Sequence, residues 1–405
     1  MKNTRTRRTS RPAIVAALCF FSVAIVGPRT VLATPFAPTD DNQILERLPV
    51  SPLDPGARQL REMRRELSAQ PDNLVLATGT AWRDIEQGRA ASDPRYWGYA
   101  EAALAPWWHQ ADPPTAVLVL RATIRQHDHD FDGALADLAV ALQADPHNAQ
   151  AWLTRALIFQ ARGDYDNAKH SCEQVLQLAT PLVAMTCASG VESLSGSAAQ
   201  SYEVLRGALV RAIAPDAGVR VWALTVLAET AARLGRSAAA EQHFTDARAL
   251  GVRDEYLLGA YADFLLDENR PQAVVSLLAD ETRADALLLR LVIAEQRIGS
   301  PTADPHLEEL RARFAAAHLR GDTVHRREEA RFALQCLQQP RQALDLARAN
   351  WQVQREPWDA RILLAAAVAA GDPAGARPVV EFLAQTKLED VQLAHLTETL
   401  RGQRQ

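Results

Sequence analysis

Residues 115–181 read TAVLVLRATIRQHDHDFDGALADLAVALQADPHN followed by AQAWLTRALIFQARGDYDNAKHSCEQVLQLATP. The second line repeats the first with a period of 34 residues. Leu118, Arg121, Ala122, Phe131, Ala134, Leu138 and Ala141 recur as Trp152, Arg155, Ala156, Tyr165, Ala168, Cys172 and Val175. A fixed period of this length, with alanine kept at two places, marks stacked helical hairpins. Where two helices cross closely only a small side chain lets the backbones approach, and bulky residues three or four positions away fill the rest. Trp152, Phe159 and Tyr165 are therefore expected to pack, and loss of Trp152 to cost about 3–5 kcal/mol.

The segment Ala151-Trp152-Leu153-Thr154-Arg155-Ala156, continued by Gly163-Asp164-Tyr165-Asp166-Asn167-Ala168, resembles the tetratricopeptide repeat. Trp152, Ala156, Phe159, Gly163, Tyr165 and Ala168 match its pattern. Arg155 departs from the usual leucine, and the closing proline is displaced to Pro181. The resemblance is strong over 115–181, fair over 219–280 and thin elsewhere. It implies an all-α, right-handed superhelical solenoid of about eight to nine antiparallel helix pairs, whose concave face binds proteins or peptides.

Working outward, hairpin starts are expected near 115, 149, 182, 221, 255, 285, 324 and 357. The domain reading is a signal peptide at 1–33, a linker at 34–55, and N-terminal helices with an irregular first hairpin at 56–114. Clear repeats occupy 115–280, degenerate ones 281–387, and a polar capping helix 388–405. Glu389, Asp390, Gln392, His395, Glu398 and Arg401 suit the solvated outer face an array needs at its end.

The N-terminus has the layout of a secretory signal. Lys2, Arg5, Arg7, Arg8 and Arg11 precede an apolar run from Ala13 to Val26, and Val31-Leu32-Ala33 offers a cleavage site. The run is short for a membrane span of about 20 residues. Cys19 lies inside it, a poor setting for lipidation. Residues 1–33 hold six Lys/Arg and no Asp/Glu, so cleavage takes the formal charge from −5 to −11 and leaves Lys169 and Lys387 as the only lysines. That surface argues against nucleic acid as a partner, because such binding rests on neutralising phosphates. Export permits disulfides. A turn near Thr180 lies midway between Cys172 and Cys187, so two helices folded there set the thiols side by side. A bond between them and a pair of small apolar core thiols are both open readings.

The recurring arginines Arg121 and Arg155 lie within reach of Asp137, an arrangement that would fix hairpin register. Trp222, Tyr256, His325 and Trp358 share one equivalent place, second in their units, and are the expected groove-lining contacts for a partner. His127-Asp128-His129-Asp130 has metal-ligand residue types, but neighbouring ligands on one turn rarely close a tetrahedral site. Trp107-Trp108-His109 reads as a packed aromatic lid. No phosphate-binding glycine loop, nucleophile elbow, paired-cysteine spacing or His-Glu-x-x-His motif occurs, so no catalytic residue, metal or cofactor is expected. The functional expectation is an exported, non-enzymatic scaffold or adaptor of a Gram-negative periplasm or envelope. It would bind protein or peptide partners, keep no stable membrane span after cleavage, and bind no nucleic acid. The alternative is a capture protein for a small ligand or glycan, using the groove aromatics or Trp107-Trp108.

Overall fold

The computed structural model describes residues 55–91 and 93–402, together with Asp40. The signal-peptide reading, Cys19 and nearly all of the linker lie outside the described residues. All regular elements among the described residues are helical. Four precede the repeats: α1 (Pro55–Ala69), α2 (Leu74–Ala91), α3 (Arg95–Ala103) and α4 (Ala105–Trp108). Antiparallel pairs follow: α5 (Thr115–His127) with α6 (Phe131–Ala144), and α7 (Ala149–Ala161) with α8 (Tyr165–Leu178). Next come α9 (Pro181–Glu192) with α10 (Ala198–Arg211), and α11 (Ala217–Arg233) with α12 (Ser237–Ala249). Then α13 (Glu255–Asp267) pairs with α14 (Pro271–Leu278), and α15 (Asp285–Ile298) with α16 (Ala303–Arg320). The short α17 (Arg326–Arg331) runs through a π segment, Phe332–Cys336, towards α18 (Pro340–Trp351). Finally α19 (Pro357–Ala370) pairs with α20 (Arg377–Thr386), and α21 (Val391–Gly402) ends the chain's described part. The chain is an all-α, tetratricopeptide-like solenoid of helix pairs. No helix among the described residues is long and apolar enough to cross a membrane.

Local chemistry explains each pair. The turn between its two helices holds one residue of positive φ: His129, Gly163, Gly196, Gly235, Asn269, Gly299, Gln338 and Gly371 in succession. That conformation ends a helix by turning the next amides back onto its open carbonyls. Side chains cap α6 and α8 after such turns, and α7 and α13 at the starts of their pairs. Asp130, Asn148, Asp164 and Asp254 accept from the amides of Gly133, Ala151, Asn167 and Leu257. The recurrent alanines Ala122, Ala156, Ala228 and Ala262 are fully buried, as are Ala134, Ala168 and Ala240 on the second helices.

The end of the chain departs from a simple stack. Segment 382–391 crosses three successive inter-helix turns. A Cβ placed on Gly163 would stand 2.7 Å from Phe382 Cε2, one on Gly196 3.1 Å from Lys387 Cβ, and one on Gly235 3.4 Å from Val391 Cγ1. Glu389 Oε2 accepts from the Ala198 amide at the start of α10 at 2.8 Å, and the Arg355 amide donates to Ala161 O at 2.7 Å. One core joins Tyr165, Cys172, Cys187 and Leu194 to Leu344, Trp351, Phe382 and Leu393. The last helix buries Leu393 and Leu400, each 1 % exposed, while Glu389, His395, Glu398 and Arg401 stay exposed. Its apolar edge packs against α19.

Candidate functional site: the polar interior of the array

The four residues expected to line an open groove do not form one continuous aromatic wall. Trp222 is half-buried against the core that the C-terminal helices share. His325 is half-buried at the cap position of α17. Trp358 lies between two guanidinium groups, Arg331 at 4.5 Å and Arg361 at 4.3 Å from its ring centre. Only Tyr256 keeps an open ring, 60 % exposed, with its hydroxyl donating to Glu229 Oε1 at 2.9 Å. The periodic spacing placed these residues on equivalent helices. What it lacked was the C-terminal helices and the arginines they bring to that face.

Those arginines are held by carboxylates, buried at Asp263 and half-buried at Asp267. Asp263, 3 % exposed, accepts from Arg331 at 2.6 Å and Arg290 at 2.7 Å. Burial pushes its carboxyl up, but the two guanidinium groups outweigh that and hold it below its ordinary value. Asp359 accepts from Arg327 Nε at 2.6 Å, Asn350 at 2.7 Å and the Glu356 amide at 2.8 Å. Arg361 grips Asp267 with both nitrogens, across 94 residues of sequence. An unpartnered charge at this depth would be costly, so each pair is bound to its geometry.

Several elements face one interior. Burial pushes the Glu229 carboxyl up to about 7, with Arg233 and the Tyr256 hydroxyl partly offsetting it and Glu356 and Asp263 adding to it. Tyr256 is driven well above its ordinary value by burial and then by Glu229 and Glu356. Its ring is nonetheless 60 % exposed, and its hydroxyl is the end held by Glu229. His127 and His129 are both lowered to about 4, first by burial. For His127 the neighbouring charges are His129, Arg89 and His325; for His129 they include Arg327 and Glu328. Residues of α2, the α5–α6 turn, α11, α13, α17 and α19 thus share one electrostatic environment.

The remaining candidates are structural in position. Arg121 binds Asp137 with Nε at 2.8 Å and Nη2 at 2.6 Å, and also donates to the carbonyl of Trp108. Arg125 adds a third bond to Asp137 at 2.8 Å. Arg155 takes no part. It lies over the rings of Trp152 and Phe159, at 5.2 and 5.3 Å. The reason is in the repeat itself: Ser171 stands where the first copy has Asp137, and Phe159 where it has Arg125. Trp152 is half-buried, its Nε1 donating to Pro146 O at 2.8 Å, so its removal costs less than the full-burial figure. Tyr165 is 5 % exposed and packs on Phe382, with ring centres 6.0 Å apart.

A disulfide joins Cys172 and Cys187, with Cα atoms 5.6 Å apart, pinning α8 to α9. Cys336 is free and half-buried, and burial pushes its thiol up to about 12. His127 stacks on Trp97 at 3.9 Å, while Asp130 serves as a helix cap. No group of three or more His, Cys, Asp or Glu placed to hold a metal occurs among the described residues. Trp107 and Trp108 are half-buried against the core between α2 and α5.

Glu229, Arg233, Asp263, Arg327 and Asp359 were not singled out in the sequence. A signal was present for some of them. Asp263 sits inside AYADFLL and Arg290 inside LLLRLV, and a lone charge within an apolar helix implies a buried partner. Nothing local says which partner, because Arg331 is 68 residues from Asp263.

No protein-family model and no curated protein matches the sequence. Among solved structures, the human IFIT1 dimer with PPP-AAAA is similar over 80 % of this chain and 85 % of that one, at 12 % identity and a TM-score of 0.43. The human IFIT1 dimer with m7Gppp-AAAA is similar over 82 % and 86 %, at 12 % identity and 0.41. The TPR domain of P58(IPK) covers 82 % of this chain and 94 % of its own, at 12 % identity and 0.20. Likenesses of this extent say nothing about ligands.

Proposed function

We propose that the chain is an exported, non-enzymatic scaffold that binds a protein or peptide partner through the inner face of its helical array, with Tyr256 as the main contact. The observation that carries this is Tyr256 itself. It is a large aromatic ring, 60 % exposed, on the first helix of its pair, and its hydroxyl is already oriented by Glu229. A pre-oriented aromatic offers contact area at small entropic cost.

Export to a Gram-negative periplasm or envelope is supported by the charge and apolar pattern of residues 1–33 and by the Cys172–Cys187 bond, since disulfides persist in oxidising compartments. The net charge of −11 after cleavage favours protein over nucleic acid. The glycan-capture alternative has less support. Two arginines already lie over the ring of Trp358, and Trp107 and Trp108 are half-buried against a core. The test is a pull-down from envelope extracts with the wild-type chain and with Tyr256→Ala. A stable protein partner that Tyr256→Ala loses is the expected result. Equal retention by the variant would refute the inner face as the site, and no partner together with stabilisation by glycans would favour capture. N-terminal sequencing of the exported protein is expected to begin at Thr34.

A further inference from the structure

The loop 352–356, between α18 and α19, is where the later helices touch the first clear repeats. Val353 packs against the core of Leu118 and Phe131, and the Arg355 amide donates to Ala161 O at 2.7 Å. Between them stands Gln354, 6 % exposed. Its Nε2 lies 3.3 Å from Nε2 of His129 in the α5–α6 turn, across 225 residues of sequence.

This contact has a fixed polarity. Gln354 Oε1 accepts from Arg327 Nη2 at 3.3 Å, and a guanidinium offers donors only, so the amide oxygen must face Arg327. Arg327 is itself anchored. Its Nε donates to Asp359 at 2.6 Å, and its Nη2 to Asp359 at 3.1 Å and to Glu356. The amide nitrogen is therefore the end turned to His129. An amide nitrogen does not accept, so His129 Nε2 carries the lone pair, with the ring proton on Nδ1 and the imidazole neutral. A proton on Nε2 would set N–H against N–H, and flipping the amide would only move that clash to Arg327.

The surrounding charges act on the same ring. Burial opposes its charging most, followed by Arg327; His325 adds to this, while Glu328 and Asp359 act the other way. On its own turn, Asp130 caps α6 and lies 3.6 Å from Arg125, and burial holds the Asp128 carboxyl up to about 6. His127, the remaining neighbour, is stacked on Trp97.

We propose that His129 is an acid-sensitive latch: neutral, it holds the 352–356 loop onto the first clear repeats, and protonated, it lets the loop go. The latch does not depend on any protein partner. The released ring takes up a proton near its ordinary 6.5 and the latched ring near 4, so release is favoured as pH falls through that range. From about pH 7 to about pH 5 the balance moves toward release by about 20-fold.

Hydrogen exchange of the full chain, read by mass spectrometry as protection factors at about pH 7 and about pH 5, tests it. The peptide covering 352–356 should lose about tenfold or more of its protection, while α11 and α12 keep theirs. His129→Gln, a permanently neutral acceptor, should remove this pH dependence. Gln354→Glu should reverse it, because a carboxylate binds the protonated ring. In wild-type chain carrying nitrogen-15 histidine, the signal that His129→Gln removes should show the proton on Nδ1 at about pH 7. Equal protection at both pH values, a loss shared by all helices, or a loss that His129→Gln retains in full would overturn the proposal. So would a proton found on Nε2 at neutral pH.

Discussion

Gly163→Ala probes the docking of the chain's end onto the repeats. Gly163 has φ +74°, so any Cβ there meets the left-handed penalty of about 1–2 kcal/mol. The new methyl would also stand 2.7 Å from Phe382 Cε2 and 3.1 Å from Arg355 Cβ. Phe382 cannot simply swing aside. It is 8 % exposed and wedged between Tyr165, 6.0 Å away, and Trp351, 5.2 Å away. Overpacking of this kind costs about 1–3 kcal/mol more, for a total of about 2–5 kcal/mol. Gly371→Ala is the control, with φ +64° and nothing within 4 Å of the added atom. It should cost only the backbone share, about 1–2 kcal/mol. Urea unfolding followed by circular dichroism measures both, and Phe382→Leu in the Gly163→Ala background should recover part of the difference. If the two glycine variants agree within about 0.5 kcal/mol, segment 382–391 does not press on that turn and the account of the chain's end is wrong.

Individual contacts carry further expectations. Asp137→Ala strands Arg121 and Arg125, and should cost about 3–5 kcal/mol by chemical denaturation; an unchanged midpoint would deny the pair its structural role. Reduction of the Cys172–Cys187 bond, which closes a 15-residue separation, should remove about 3 kcal/mol, and identical unfolding with and without reductant would contradict this. Glu229 carries a pH signature. The unfolded chain releases that proton near its ordinary 4.5, the folded chain near 7, so folded stability is lost as pH rises through this window. Glu229→Gln should match wild type below the window and gain on it up to about pH 7; parallel stability profiles would show that the carboxyl is not held protonated. Histidines act in the opposite sense. His127 and His129, held near 4 against an ordinary 6.5, make acid destabilising as pH falls through that range, and His129→Gln should flatten the acid limb of a thermal-stability profile.

The helices and their pairing were legible because they rest on contacts close in sequence. The alanines 34 residues apart, the capping Asp130, Asn148 and Asp164, and Gly163 at its turn all act within one hairpin. The Arg121–Asp137 contact spans 16 residues, a single hairpin's reach, and so was also within view. Arg155 shows the limit of copying one repeat onto the next: position matched, but its partner had become Ser171. The interior needed three dimensions. Arg361 with Asp267 and Glu389 with the Ala198 amide are separated by 94 and 191 residues, and no local pattern ranks such pairings. A repeat specifies how each hairpin meets its neighbour, because that interface recurs. Where the array's end returns to the array depends on small rotations summed over every hairpin between. That sum decided which aromatics stayed open, leaving Tyr256 exposed beside Glu229 while arginines reached Trp358.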